Sequence, residues 1–94
     1  ISEIHTIEKG LSIKVYPNPV SNDATINFRM PIAETATIQL FDVIGNEVAT
    51  FSNNYFEAGD HNLQINLNEY YQGIYFCKLS VKGINVIERI IVIK

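Results

Sequence analysis

Catalysis needs nucleophiles, acids, bases or metal ligands at workable spacing, and this chain carries few of them. Its one cysteine, Cys77, cannot form an internal disulfide and falls short of a zinc cluster. The neighbours Tyr75, Phe76 and Leu79 predict a buried, inert thiol, whereas a nucleophile would need an exposed, electropositive place with a histidine beside it. The two histidines, His5 and His61, have no ligand spacing, and His61, beside a turn, is expected to be solvated. Gly10, Gly45, Gly59, Gly73 and Gly83 stand singly, so no loop is built to cradle a phosphate. Ser80 lies in a strand pattern without a G-x-S-x-G elbow. Asp23, Asp42, Glu57, Asp60 and Glu69 fall in or beside turns, where turn chemistry explains them. Two of them meeting at a calcium is the one metal reading, and a two-carboxylate glycosidase site would need a cleft too deep for so small a domain. The expectation is a non-enzymatic chain with no cofactor and no metal.

The elements that position these residues read as strands. Leu11, Ile13 and Val15 alternate with polar residues until Pro17 and Pro19 remove backbone donors. Ile26, Phe28 and Met30 alternate in a second strand, ended by Pro31, and Ala36, Ile38 and Leu40 in a third. Asp42-Val43-Ile44-Gly45 predicts a type I turn with glycine in the left-handed position, returning through Glu47 to Phe51. After a turn at Ala58-Gly59-Asp60 come a strand on Leu63, Ile65 and Leu67, a longer one from Ile74 to Val81, a turn at Gly83, and Val86 to Ile93. Ile1 to Gly10 shows no closing alternation and reads as a leader or linker, with the domain spanning 11–94. No helical period of useful length appears.

Seven short strands with frequent turn signals predict an all-β fold, a seven-stranded immunoglobulin-like antiparallel β-sandwich with Greek-key links. Gly73-Ile74-Tyr75-Phe76-Cys77 strengthens it: a tyrosine two residues before a cysteine at a strand start is the spacing of a tyrosine corner. The Tyr75 hydroxyl is then expected to bond a backbone group upstream, tying the Asn68–Gln72 crossover to the strand. Exposed first or last strands would also offer an edge for dimerisation.

Composition narrows the function classes. The 94 residues are 47% hydrophobic and 18% charged, a globular balance for one small domain. The longest apolar run, Ile90 to Ile93, is far below the roughly 20 residues of a membrane helix. Glu3, His5 and Glu8 interrupt the start, so it has no secretory-signal pattern. An opening on Ile1 rather than methionine is what a piece of a longer chain would show. The net charge of −3 argues against nucleic acid. Lys78, Lys82, Arg89 and Lys94 nevertheless outnumber Glu88 near the C-terminus. Such cations keep an edge-prone last strand soluble, or form a basic patch for a receptor. Phe41, Tyr55, Phe56, Tyr70, Tyr71 and Phe76 either cap the core or form a sugar-stacking face.

Taken in order, several short motifs form a specific series. Tyr16-Pro17-Asn18-Pro19 is followed by Ile26-x-Phe28, Leu40-Phe41-Asp42, Gly45, Ala58-Gly59 and Leu63-x-Ile65-x-Leu67. Gly73-Ile74-Tyr75-Phe76 and the terminal Arg89-Ile90-Ile91-Val92-Ile93-Lys94 complete it. Over residues 11–94 the chain resembles the type A C-terminal sorting domain of the type IX (Por) secretion system of Bacteroidetes bacteria. Cys77 stands where that pattern has a generic apolar residue.

The resemblance implies a folded address at the end of an exported cargo protein whose own signal peptide lies outside this chain. The partners implied are the cargo in cis, the outer-membrane type IX translocon and a sortase-like cysteine peptidase. In that picture the domain passes through the periplasm, the peptidase cuts before or within Ile1 to Gly10, and the cargo is anchored to lipopolysaccharide or released. The residues expected to carry recognition are Pro17, Asn18 and Pro19 as a stiff, extended corner, Gly73 and Tyr75 as architecture, and Val92, Ile93 and Lys94. The last three would be read by edge pairing or by charge. Two other readings stay open: a small immunoglobulin-like carbohydrate- or surface-binding module of an extracellular enzyme, and a plain spacer.

Overall fold

The computed structural model describes residues 3–94. Seven strands follow one short helix: α1 (Glu3–Gly10), β1 (Ser12–Tyr16), β2 (Asp23–Met30), β3 (Glu34–Phe41), β4 (Glu47–Phe56), β5 (Gly59–Asn66), β6 (Gly73–Val81) and β7 (Ile84–Val92). They form two sheets, ordered β1-β2-β5 and β4-β3-β6-β7, with antiparallel pairing between neighbours. The links β2–β3, β4–β5 and β5–β6 cross between sheets, which makes the sandwich a Greek key.

Period-2 alternation drives this folding, because every second side chain of a strand points to the same face. Ala24, Ile26, Phe28 and Met30 of β2 face Ala36, Ile38 and Leu40 of β3 and Tyr75, Cys77, Leu79 and Val81 of β6 in one buried cluster. Each large side chain fully buried there contributes roughly 1.5–3 kcal/mol. Phe56 closes one margin with its ring edge-on to Phe28, the centroids 4.9 Å apart.

Three elements differ from the sequence expectation. The stretch read as a leader or linker, in which no helical period was expected, contains α1, and Ile1 and Ser2 of that stretch lie outside the described residues. Eight residues are too few to display a period, and so short a helix is stabilised by packing rather than by propensity. Ile7 is fully buried in the core, and its carbonyl accepts the Leu11 N–H at 2.9 Å. The others are β5, whose first residues Gly59 and Asp60 were expected in a turn, and β4, which runs to Phe56 rather than Phe51. Register shifts against β3 between Ile38 and Gln39 and between Leu40 and Phe41 break its alternation, so Ser52-Asn53-Asn54 looks like a loop in sequence yet pairs as a strand.

Candidate functional site

The chain changes sheets at Pro17–Pro19. β1 ends on Tyr16, the corner bends rather than extends, and both the Tyr16–Pro17 and Asn18–Pro19 bonds are cis. Val20 emerges from the bend fully buried, no longer beside β2 but in a parallel bridge to Val92. Its N–H donates to the Ile91 carbonyl at 2.8 Å, and its carbonyl accepts from the Ile93 N–H at 2.9 Å. The Asn18 side chain extends this pairing by one more step. Its Nδ2 donates to the Arg89 carbonyl at 2.8 Å and its Oδ1 accepts from the Ile91 N–H at 3.0 Å. A carboxamide offers the same donor and acceptor as a peptide unit, so Asn18 stands in for one rung of a neighbouring strand.

Lys94 fastens the end of the same strand. Its Nζ donates to the carbonyls of Ser21 and Leu67 at 2.9 Å each and of Asn68 at 3.4 Å. An ammonium has three protons to give, and three carbonyls from two loops receive them. Gly73 pairs with Val92, and Tyr75 with Ile90, in the β6–β7 ladder. Gly73 has φ +153°, a backbone conformation that side-chain-bearing residues rarely adopt. The Tyr75 hydroxyl donates to the Tyr71 carbonyl at 2.7 Å, so the tyrosine corner forms with its anchor inside the Asn68–Gln72 crossover. Burial, with Asp42 and then Tyr70 adding to it, pushes the Tyr75 phenol up and keeps it a neutral donor.

Pro17, Asn18, Pro19, Gly73, Tyr75, Val92, Ile93 and Lys94 therefore meet at one end of the sandwich, around the C-terminal half of β7. The residues missed by sequence reasoning are their partners: Val20, Ser21, Leu67 and Asn68. The single apolar Val20 between Pro19 and Ser21 is the one local sign of a buried contact there. Carbonyl acceptors leave no sign at all, since any residue supplies one.

The other chemical candidates resolve into structure. Cys77 is fully buried, and burial, with the Glu88 charge adding to it, pushes its thiol up to about 12. Asp42 accepts the N–H groups of Ile44 and Asn46 at 3.1 and 2.9 Å, while Gly45 at φ +90° donates to the Asp42 carbonyl, so the β3–β4 turn forms as expected. Asp23 accepts from Asn66 at 2.8 Å and Asp60 pairs with Arg29 at 3.2 Å. Among the described residues no group of three or more His, Cys, Asp or Glu side chains converges as a metal site would require. His61 differs from expectation: it is half-buried, stacked on Phe28 at 5.3 Å, with Nε2 2.6 Å from the Glu57 carbonyl. The aromatic residues divide as well. Phe56 and Tyr70 pack against the core, while the exposed Tyr55 and Tyr71 lie toward opposite ends of the four-stranded sheet.

No curated protein matches this chain. A family model described as the secretion system C-terminal sorting domain matches residues 14–94, a range that takes in the Pro17–Pro19 corner, the tyrosine corner and the terminal strand together. The chain belongs to the C-terminal sorting domain family of the type IX secretion system.

Proposed function

We propose that the end of the sandwich built from Pro17–Pro19, the Gly73–Tyr75 strand start and Val92–Lys94 is the surface by which the type IX machinery recognises this domain. As a type IX sorting signal the domain serves export of a cargo to the cell surface or the medium. The observation that carries the proposal is the joining of Asn18 and Val20 to β7, residues more than 70 positions apart in sequence. Two segments that carry the resemblance, far apart in sequence, meet in space. An outer-membrane translocon reads that surface from the periplasm, with the cargo attached in cis. A sortase-like cysteine peptidase then separates the two within or before 1–10.

Packing restricts where that cut falls. Ile7 is buried and its carbonyl is bonded to Leu11, so cleavage there requires α1 to leave the core. Cleavage ahead of Ile7 leaves the sandwich intact. The test is a fusion of residues 1–94 to a periplasm-targeted fluorescent protein in a host with this secretion system, beside a version lacking the last five residues. Full-length fusion is expected on the surface or in the medium, trimmed of the domain, and the shortened version in the periplasm. Equal export of both, or retention of both, would overturn the assignment.

A further inference from the structure

The terminal strand offers a receptor less than its sequence suggests. A partner strand could pair with β7 only where main-chain groups are free, and the Arg89 carbonyl, both Ile91 groups and the Ile93 N–H are bonded to Asn18 and Val20. A carboxylate could read Lys94 only if its ammonium faced outward, and that group is turned onto three carbonyls of its own chain. What this end leaves in solvent is different: Ile93 at 49% exposure, the rings of Pro17 and Pro19, and the Arg89 side chain. Among the described residues Arg89 has no ion pair.

We infer that Asn18 and Lys94 are positioning residues. They hold the terminal strand shut, and the surface they hold is recognised through Pro17, Pro19, Ile93 and Arg89. The partner that fits is a protein groove lined by apolar side chains, with a carboxylate placed to meet the Arg89 guanidinium. An anionic bilayer fits less well, because the domain as a whole carries −3 and, of Arg89 and Lys94, only Arg89 is not turned onto the chain's own carbonyls. This inference rests on the sorting-domain reading of the same end. It replaces a loose tail, read by edge pairing or by charge, with a closed and folded address.

The test uses the fluorescent fusion with a covalent clamp across the bridge that joins Val20 to Val92. Val20→Cys with Val92→Cys, closed by an aromatic disulfide that accepts the two electrons and two protons of the paired thiols, locks the strand in place, and the clamp is verified when two of the three thiols titrated in denaturant are lost while Cys77 keeps the third. The clamped domain is expected to be exported as well as the unclamped one, and the clamp is expected to restore export to Lys94→Met. A partner that must unzip the strand predicts that the clamp stops export. A partner that reads the lysine charge predicts that Lys94→Met stays in the periplasm despite the clamp. Either result overturns the inference.

Arg89→Glu and Ile93→Asp give an independent arm that does not rely on the clamp. Both positions are exposed, so the melting temperature is expected to hold while export falls roughly tenfold or more, the scale of misplaced charge at an interface. Undiminished export of both variants would equally refute it. Retention of the wild-type fusion in the periplasm is a separate outcome, since it would remove the sorting reading itself.

Discussion

At the scale of single residues, the side chains that look most chemical serve architecture. Cys77 shows this clearly. Its thiol is pushed up to about 12 by burial, so at neutral pH it is a thiol and not a thiolate. The native domain is expected to resist iodoacetamide until denaturant is added, and rapid labelling of the native form would contradict this. The folded state holds that proton more tightly than the unfolded chain, whose cysteine titrates near its ordinary 9.0. The stability Cys77 contributes is therefore complete below about pH 9 and is lost as pH rises toward 12. Tyr75 is the second case. Tyr75→Phe removes the bond to Tyr71 and leaves that carbonyl without its donor, which is expected to cost about 1–2 kcal/mol in a urea titration. An unchanged midpoint would show that the corner contributes nothing.

At the scale of elements, strands with one buried face were legible, because alternation and burial are the same fact seen in sequence and in space. Ile26-x-Phe28-x-Met30 and Ala36-x-Ile38-x-Leu40 are examples. The end of β4 was not legible, since each bulge inserts a residue and reverses the alternation that follows. α1 was hidden for another reason, as its one buried residue described, Ile7, sets no period. The candidate site divides in the same way. Its residue types and their order were visible, and the Asp42–Gly45 turn and the tyrosine corner could be read from local spacing. The hold of Asn18 on β7 spans more than 70 positions and joins a side chain to main-chain groups, so no local pattern encodes it. Element geometry also carries a prediction. Gly45 closes the β3–β4 turn at φ +90°, and Gly45→Ala places a side chain in a conformation that costs roughly 1–2 kcal/mol. A thermal melt of that variant should fall by several degrees; an unaltered melt would mean the turn relaxes freely.

At the scale of the whole molecule, the sandwich closes on itself through its last residues. β7 is an edge strand, and long exposed edges invite aggregation. Here Asn18 and Val20 cover the half nearest the C-terminus, and Lys94 ties the chain end to the loops at Ser21 and Leu67. Removing the last five residues therefore takes away the core side chains Ile90 and Val92, a strand end, three carbonyl contacts and the bridge to Val20 in one step. Trimmed protein is expected to stay folded through Ala24, Phe28, Ile38 and Leu79 while melting at a lower temperature. Complete unfolding on trimming would show that the remaining core cannot close without Ile90 and Val92.

The closed end is the central claim, and amide hydrogen exchange followed by NMR on residues 1–94 tests it most directly. The Ile91 and Ile93 N–H groups, bonded to Asn18 and Val20, are expected to be protected in the native chain. In Lys94→Met the Ile93 amide is expected to exchange at least about tenfold faster, while the amides of β2 and β6 keep their protection. An Ile93 amide that exchanges at the unfolded-chain rate in the native protein would show that the terminal strand is open, and the account would be wrong.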